Sequence, residues 1–233
     1  MSLAERVVRQ YRREGLGGLA LGLQALVRQR VRRLFLAADY YVYRYPVPAC
    51  DDLIPSPRLE QVEVKLVETA SDVDRLVAEG YEDPREVLQH AARRLASGAT
   101  GCIAYVRKEL ASVGWVALSQ QAKESFDPLP YHVDFHCGEA CTGGSWTERR
   151  FRGHGLYSYV FGHELAYIRR KGRQVCRNAI RVANTASQRG QARYGAQLCA
   201  VGTLRRVLWW RRWTEREAEG ACPSLLIEHD AGW

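Results

Sequence analysis

The residues best suited to chemistry lie between Glu139 and Tyr157, and the run Arg152-Gly153-His154-Gly155-Leu156-Tyr157 is the most pointed of them. Glycines let a main chain approach a ligand closely, and the first N–H groups of a helix have no carbonyl partners of their own. If a strand ends near Thr147 and a helix starts near Leu156, the turn between them is an anion cradle, suited to phosphate oxygens and helped by the helix dipole. Arg152 adds a fixed positive charge. A plain glycine-rich turn joining a strand to a helix has the same composition. A Walker loop is excluded because no Gly-Lys-Ser/Thr follows, and a dinucleotide fingerprint fails because Ser158 stands where its third glycine belongs.

A second segment extends the pattern. Val175 to Val182 reads as a strand, and 183–195 as a loop entering a helix, with Asn184 at the strand end, Ser187 near the helix start and Gly195 after it. Together the two segments resemble the GNAT superfamily of acyl-CoA N-acyltransferases over residues of about 60 to 204. The family signature Arg/Gln-x-x-Gly-x-Gly/Ala, which binds the pyrophosphate of coenzyme A, resembles Arg152 to Tyr157. Arg150-x-x-Gly153-x-Gly155 fits the formal pattern as well, but it starts the helix two residues early, so the Arg152 register is preferred. Two positions depart from the family: Tyr157 stands where Gly or Ala is usual, and Gln191 stands where many relatives carry the tyrosine that protonates the departing thiolate. Tyr194, one helical turn on, is the substitute acid this reading offers.

The resemblance implies acetyl-CoA or another acyl-CoA as co-substrate and a small-molecule amine as acceptor. It implies cofactor contacts at Thr147, Arg152, Gly153, His154, Gly155, Leu156 and Tyr157, with Asn184 and Ser187 holding the pantetheine arm. An ammonium cannot attack a thioester, so a proton acceptor is needed. Glu139, on the strand preceding the cradle, is the candidate base; a solvated strand-edge carboxylate is the alternative. His136 and Asp134 are further bases, His154 sits in the cradle, and Cys141 is a conceivable thiol nucleophile that direct transfer does not require. A regular strand puts Glu139 on one face with Cys141, Gly143, Ser145 and Thr147, unless Gly143-Gly144 forms a bulge that changes the face.

These groups need a scaffold, and the periodicity supplies one. Val62–Val67 reads as a strand, 71–79 as a helix capped by Ser71, and 83–97 as a helix with Pro84 in its first turn. Thr100–Arg107 and Leu110–Ser119 read as a hairpin joined through Lys108-Glu109, followed by a polar loop over 120–130. A strand over 139–147, a helix from Leu156 to Lys171 stopped by Gly172, the strand 175–182, a helix from Ser187 to Tyr194, a strand over 198–213 and another over 224–228 complete the order. That order predicts an α/β (α+β) fold, a mixed and mostly antiparallel sheet flanked by helices, GNAT-like, with an N-terminal helical extension. Residues 1–50 are expected to be a basic amphipathic helical extension and linker, with prolines 46, 48, 55 and 57 marking the boundary. Residues 51–233 are expected to be the acyltransferase domain.

The formal charge of the 233-residue chain is +8, and it is unevenly spread. Before Asp39, eight arginines face Glu5 and Glu14, a net +6 from that segment alone. Arginines beside apolar stripes suit peripheral contact of residues 1–38 with an anionic membrane surface, and equally a docked helical extension with solvated arginines. Such an extension also resembles acyltransferases of bacterial surface-polysaccharide or lipid pathways, which suggests an amino-sugar acceptor. The run 16–27 is too short and too glycine-rich to span a bilayer. Seven cysteines in an irregular set fit a reducing, cytoplasmic compartment rather than a disulfide framework. His136, Cys137 and Cys141 lack the paired spacing of a structural zinc site, so no metal is expected. No nucleic-acid-binding signature accompanies the basic residues, so no nucleic-acid partner is expected. A homodimer is compatible with the sequence. A catalytically inactive domain of the same fold, acting as an acyl-CoA sensor or membrane-associated scaffold, is the alternative that Gln191 and Tyr157 favour.

Overall fold

A computed structural model describes residues 35–218. The two helices expected within 1–38 and the strand expected over 224–228 fall wholly or mainly outside the described residues. The described elements are strand β1 (Phe35–Pro46), β2 (Val62–Val67), helices α1 (Ala70–Ala78), α2 (Pro84–Val87) and α3 (Ala91–Ala96), strands β3 (Thr100–Val106) and β4 (Glu109–Ala117), α4 (Gln120–Phe126), β5 (Glu139–Thr147), α5 (Leu156–Arg170), β6 (Val175–Arg181), α6 (Thr185–Gln191), β7 (Gln197–Val207) and β8 (Trp210–Glu217). Residues 39–202 with the described residues from 215 onward form one compact unit, and 203–214 count with a second.

The strands form one sheet in the order β2-β3-β4-β5-β6-β1-β7-β8. β2 to β5 pair antiparallel, β5 and β6 pair parallel, and β6 and β1 pair antiparallel. This is the mixed, mostly antiparallel sheet that the order of elements predicts. Among these pairs the parallel one is the exception, and it requires a crossover, which α5 provides. α5 starts at Gly155 and ends where Gly172 takes φ +72°, with the Gly172 N–H bonded to Arg169 O at 2.8 Å and the Arg173 N–H to Ile168 O at 3.1 Å. That left-handed stop satisfies the last helical carbonyls, which is why the expected glycine ends it. Its buried face, which includes Leu156, Val160, Phe161, Leu165 and Ile168, packs under the sheet. Each such side chain contributes about 1.5–3 kcal/mol by leaving water.

Several expectations are corrected. Residues 40–46 are not linker: they pair antiparallel with β6, from Tyr40 opposite Arg181 to Pro46 opposite Val175, as the sheet strand β1, and the prolines fall at and after its end, where no ladder donor is needed. α1 is capped by Thr69, not Ser71, through a reciprocal box with Asp72. The helix expected over 83–97 is broken into α2 and α3 because His90 takes φ +75°, which no continuing helix accommodates. The β3–β4 turn is Arg107-Lys108, both at positive φ, one residue earlier than expected. The polar loop contains α4, whose cap is Ser119 accepting from the Ala122 N–H. The single strand expected over 198–213 is a hairpin that turns at Leu208-Trp209.

Beneath the centre of the sheet one group has no ionic partner. Glu164 of α5 is 1% exposed, its Oε1 lacks a hydrogen-bond partner, and a Cβ added at Gly114 of β4 collides with its carboxyl group. Burial raises its pKa well above 4.5. The folded carboxyl therefore keeps its proton where the unfolded one has lost it. Its contribution to stability is fully present below 4.5 and is lost as pH rises toward the folded value. We expect Glu164→Gln to match the parent near pH 4 and to be more stable near pH 8, by up to ~1.4 kcal/mol for each pH unit between the unfolded and folded pKa values. Urea midpoints measured across pH check this, and a difference independent of pH contradicts it.

Candidate active site

The site begins where two strands part. β5 and β6 pair at only three positions, Glu139 with Val175, Ala140 with Cys176 and Cys141 with Arg177. Each strand is followed by a helix whose N-terminus lies at its carboxyl end, the arrangement in which open α/β sheets place ligands. β5 also bulges: Val113 faces Trp146 while Trp115 faces Gly143, so Gly144 and Ser145 of β5 together oppose Gly114, with Gly144 at φ +58°. The bulge that the glycine pair allows therefore forms, and it changes the faces on which the residues after it lie.

After Thr147 a short 3-10 turn, Arg149–Phe151, leads into the cradle. Gly153 and Gly155 both take left-handed conformations, at φ +83° and +85°. A Cβ at Gly153 would meet nothing within 4 Å, and one at Gly155 only Pro57 Cα at 3.9 Å. The glycines are thus required by backbone angle, and the space beside them is open. The first α-helical bond here runs from the Tyr159 N–H to Gly155 O at 3.0 Å. Among the described residues, no protein acceptor takes the N–H of Gly153, His154 or Gly155, while His154 O accepts from the Arg58 N–H at 2.8 Å. Arg152 donates from Nε to Thr147 O at 2.9 Å, which fixes its guanidinium beside the turn. Arg150 instead pairs with Glu109 at 2.6 Å, which favours the Arg152 register.

The gap beyond the paired residues holds a chain of hydrogen bonds. Tyr45 donates its hydroxyl to Gln191 Oε1 at 2.6 Å, Asn178 Nδ2 donates to the same oxygen at 3.0 Å, and Gln191 Nε2 donates to the Tyr157 hydroxyl oxygen at 2.7 Å. Asn178 Nδ2 also donates to Thr142 Oγ1 at 3.2 Å, which lies 3.4 Å from Cys176 Sγ. Asn178 Oδ1 is buried and has no partner. Because Gln191 donates to Tyr157, the Tyr157 oxygen is an acceptor in that bond and its own proton faces elsewhere. Burial raises the pKa of Tyr157, opposed by hydrogen bonds from Ser187 and Gln191, and burial likewise raises that of Tyr45. The Tyr157 ring also covers Gly190, where a Cβ would sit 2.6 Å from the ring, so that glycine is needed for close approach.

Other sequence-selected residues lie differently. Glu139 stands at the opposite end of nine-residue β5 from Thr147, on the order of 25 Å away at a strand rise of about 3.4 Å. Its Oε2 is held by Arg177 Nε at 2.6 Å and by the Asp134 N–H at 2.9 Å, both side chains being nearly buried. The structure therefore does not bring Glu139 to the cradle. Tyr194 is buried and donates its hydroxyl to Ser158 O at 2.7 Å, so its proton is committed to the protein. Asn184 caps α6, accepting from the Ser187 N–H at 3.2 Å and donating to Ser187 Oγ at 2.8 Å. Asp134 caps its own turn through the His136 and Cys137 N–H groups. Cys141 is buried and its thiol is pushed up to about 12, chiefly by burial, which removes it as a nucleophile. The six described cysteines are free, and no group of potential metal ligands gathers among the described residues. No described helix is long and apolar enough to cross a membrane.

Sequence reading missed Tyr45, Thr142 and Asn178. A signal existed for one of them: on β6 the inward positions alternate Cys176, Asn178, Ile180, and an amide among apolar inward residues marks a polar function.

No family model matches the chain, and no curated protein does. Among solved structures it is similar to a GNAT-family protein from Novosphingobium aromaticivorans, at 17% identity over 73% of this chain and 64% of that one, with a TM-score of 0.44. It is similar to a GNAT-family acetyltransferase from Colwellia psychrerythraea at 14% identity over 75% and 57%, with a TM-score of 0.46. A GCN5-related N-acetyltransferase from Sphaerobacter thermophilus gives 13% identity over 82% and 56%, with a TM-score of 0.45. The chain thus spans less than two thirds of these structures. At such scores they decide neither family nor activity.

The Arg177–Glu139 pair gives a prediction. Removing one partner leaves a buried charge unpaired. We expect Arg177→Ala to lose about 3 kcal/mol of stability, read by urea denaturation. We expect Glu139→Gln to reduce stability while leaving coenzyme A affinity unchanged by calorimetry, because its side chain stands far from the cradle.

Proposed function

We propose that this protein is an acyl-CoA-dependent N-acyltransferase that moves an acetyl or other acyl group to a substrate amine. The observation that carries the reading is a pair of unmet hydrogen-bonding needs, one in the turn between β5 and α5 and one on β6. Among the described residues the backbone N–H groups at 153–155 have no protein acceptor, the space a side chain would take at Gly153 is open, and Asn178 Oδ1 is a buried acceptor without a donor. A buried amide oxygen left unsatisfied costs about 1–3 kcal/mol, so a ligand that brings an N–H there gains by relieving it. A diphosphate joined to an amide-bearing arm answers both needs, and that is the chemistry of coenzyme A.

In this proposal the cradle amides, with Arg152 beside them, hold the diphosphate, and Asn178 accepts an N–H from the pantetheine arm. Acyl-CoA, when bound, supplies a thioester carbonyl open to an uncharged amine. Tyr157, whose oxygen is engaged by Gln191 and whose proton is free of that bond, takes the acid role that Gln191 cannot perform and from which Tyr194 is held by Ser158. Its proton passes to the departing thiolate, and the proton released from the attacking nitrogen, carried through solvent, restores the hydroxyl. The acceptor class rests on the sequence resemblance alone, and amino sugars are the first amines to try.

A second reading, acyl-CoA binding without transfer, is favoured by one observation: Gln191 and its partners form a closed network in the gap. Calorimetry with coenzyme A and thiol-release assays over an amine panel separate the two. For the transferase we expect Gly155→Glu to abolish binding by setting a carboxylate against phosphates. We expect Tyr157→Phe to lower kcat about a hundredfold or more with coenzyme A affinity changed little, and Tyr194→Phe to leave kcat near the parent value. Binding without thiol release toward any amine supports the sensor, and unchanged affinity in Gly155→Glu overturns the cradle.

A further inference from the structure

The tip of the β7–β8 hairpin has a composition that a turn does not call for. A two-residue hairpin turn favours Asn-Gly or Asp-Gly, since its backbone needs left-handed angles. The β3–β4 turn obeys the polar part of that preference with Arg107-Lys108. The β7–β8 turn is Leu208-Trp209, and Leu208 takes φ +57°, a conformation unfavourable for a bulky side chain. Strain of this kind persists where something other than local stability selects the residue.

What the strain presents is apolar surface. Val207 is 41% exposed, Leu208 43%, Trp209 86% and Trp210 49%, four consecutive large hydrophobic residues at one hairpin turn. Only Leu53, Val77 and Val87, each apart from this run, are the other exposed large hydrophobic residues described. Exposed Arg205, Arg211 and Arg212 bracket the tip, and no acidic residue lies between 203 and 214.

We infer that Val207-Leu208-Trp209-Trp210 and the arginines beside it form a docking surface for an anionic lipid bilayer. Each part of the composition has a place there. Indole rings are favoured at the level of lipid headgroups, with their apolar bodies toward the acyl chains and their N–H groups in the wet layer. Aliphatic Val207 and Leu208 gain from the acyl boundary, whereas a nucleic-acid backbone offers them nothing. Arginines beside the tip meet anionic headgroups, whose charge they complement. A second copy of the same tip would bring like charges together, so self-association is the poorer match. Four residues at a turn are too few to span, so the contact is peripheral.

The test uses the full chain and sedimentation with vesicles of phosphatidylcholine alone or phosphatidylcholine mixed with phosphatidylglycerol. The parent protein is expected to bind the mixed vesicles and to prefer them over neutral ones, with the preference weakening as salt is raised. Leu208→Asn combined with Trp209→Gly removes the apolar tip while relaxing the turn, so its melting temperature should be equal or higher. It is expected to lose about tenfold or more in vesicle affinity. Trp209→Ser, a single change at an exposed turn residue, should lose part of that affinity, and Arg211→Gln with Arg212→Gln should remove the preference for anionic vesicles. The inference is overturned if the parent ignores vesicles or shows no anionic preference. It is equally overturned if the folded Asn-Gly variant binds as the parent does, or if the variant instead loses duplex DNA binding or self-association.

Discussion

The parallel contact between β5 and β6 is the constraint from which the site follows. Two parallel strands joined by a helical crossover run side by side for only three residue pairs, and then part. Had they stayed paired, their main-chain groups would be closed in a ladder and no ligand could enter the sheet. Because they part, the groups between them must find other partners, and side chains from β1, β5, β6, α5 and α6 meet there. The bulge at Gly144-Ser145 lies beyond the paired residues, where an extra residue on β5 bends that strand and shifts its register with β4. The Arg177–Glu139 ion pair closes the start of the two strands, so the parting has a fixed origin.

Hydrogen-bond polarity in the gap is set by chemistry that leaves few choices. An amide has one acceptor and one donor group, and Gln191 offers its oxygen to Tyr45 and Asn178 and its nitrogen to Tyr157. The network thus has a direction, from Tyr45 through Gln191 to Tyr157, and it ends on a hydroxyl whose proton is available. A residue that looked like a loss of chemistry at position 191 becomes the part that orients another. The same arrangement explains why Tyr157 is tolerated where a small residue was expected: Gly190 opposite it provides the room.

Much of the frame was legible because periodicity and turn chemistry act locally. α5 and its stop at Gly172, the hairpin of β3 and β4, and the two glycines of the cradle follow from residues a few positions apart. Failures came where a distant partner decided the outcome. Residues 40–46 are proline-flanked and tyrosine-rich, and only β6 lying alongside makes them a strand rather than linker. Glu139 lies on the strand before the cradle, and its ion pair is made with Arg177, 38 positions away, a partner no local pattern encodes. Tyr194 is one helical turn from position 191, but the carbonyl of Ser158 lies within its reach and accepts its hydrogen bond.

The sequence by itself determined the frame from β3 to β6, the two glycines between β5 and α5, and the concentration of positive charge, because each depends on residue type and near-neighbour spacing. Tertiary structure alone decided which side chains share the gap, since Tyr45, Thr142, Tyr157, Asn178 and Gln191 come from five separate elements. It also decided where protons reside there. Burial and the identity of a hydrogen-bond partner govern that, and both arise only when strands far apart in the chain are laid side by side.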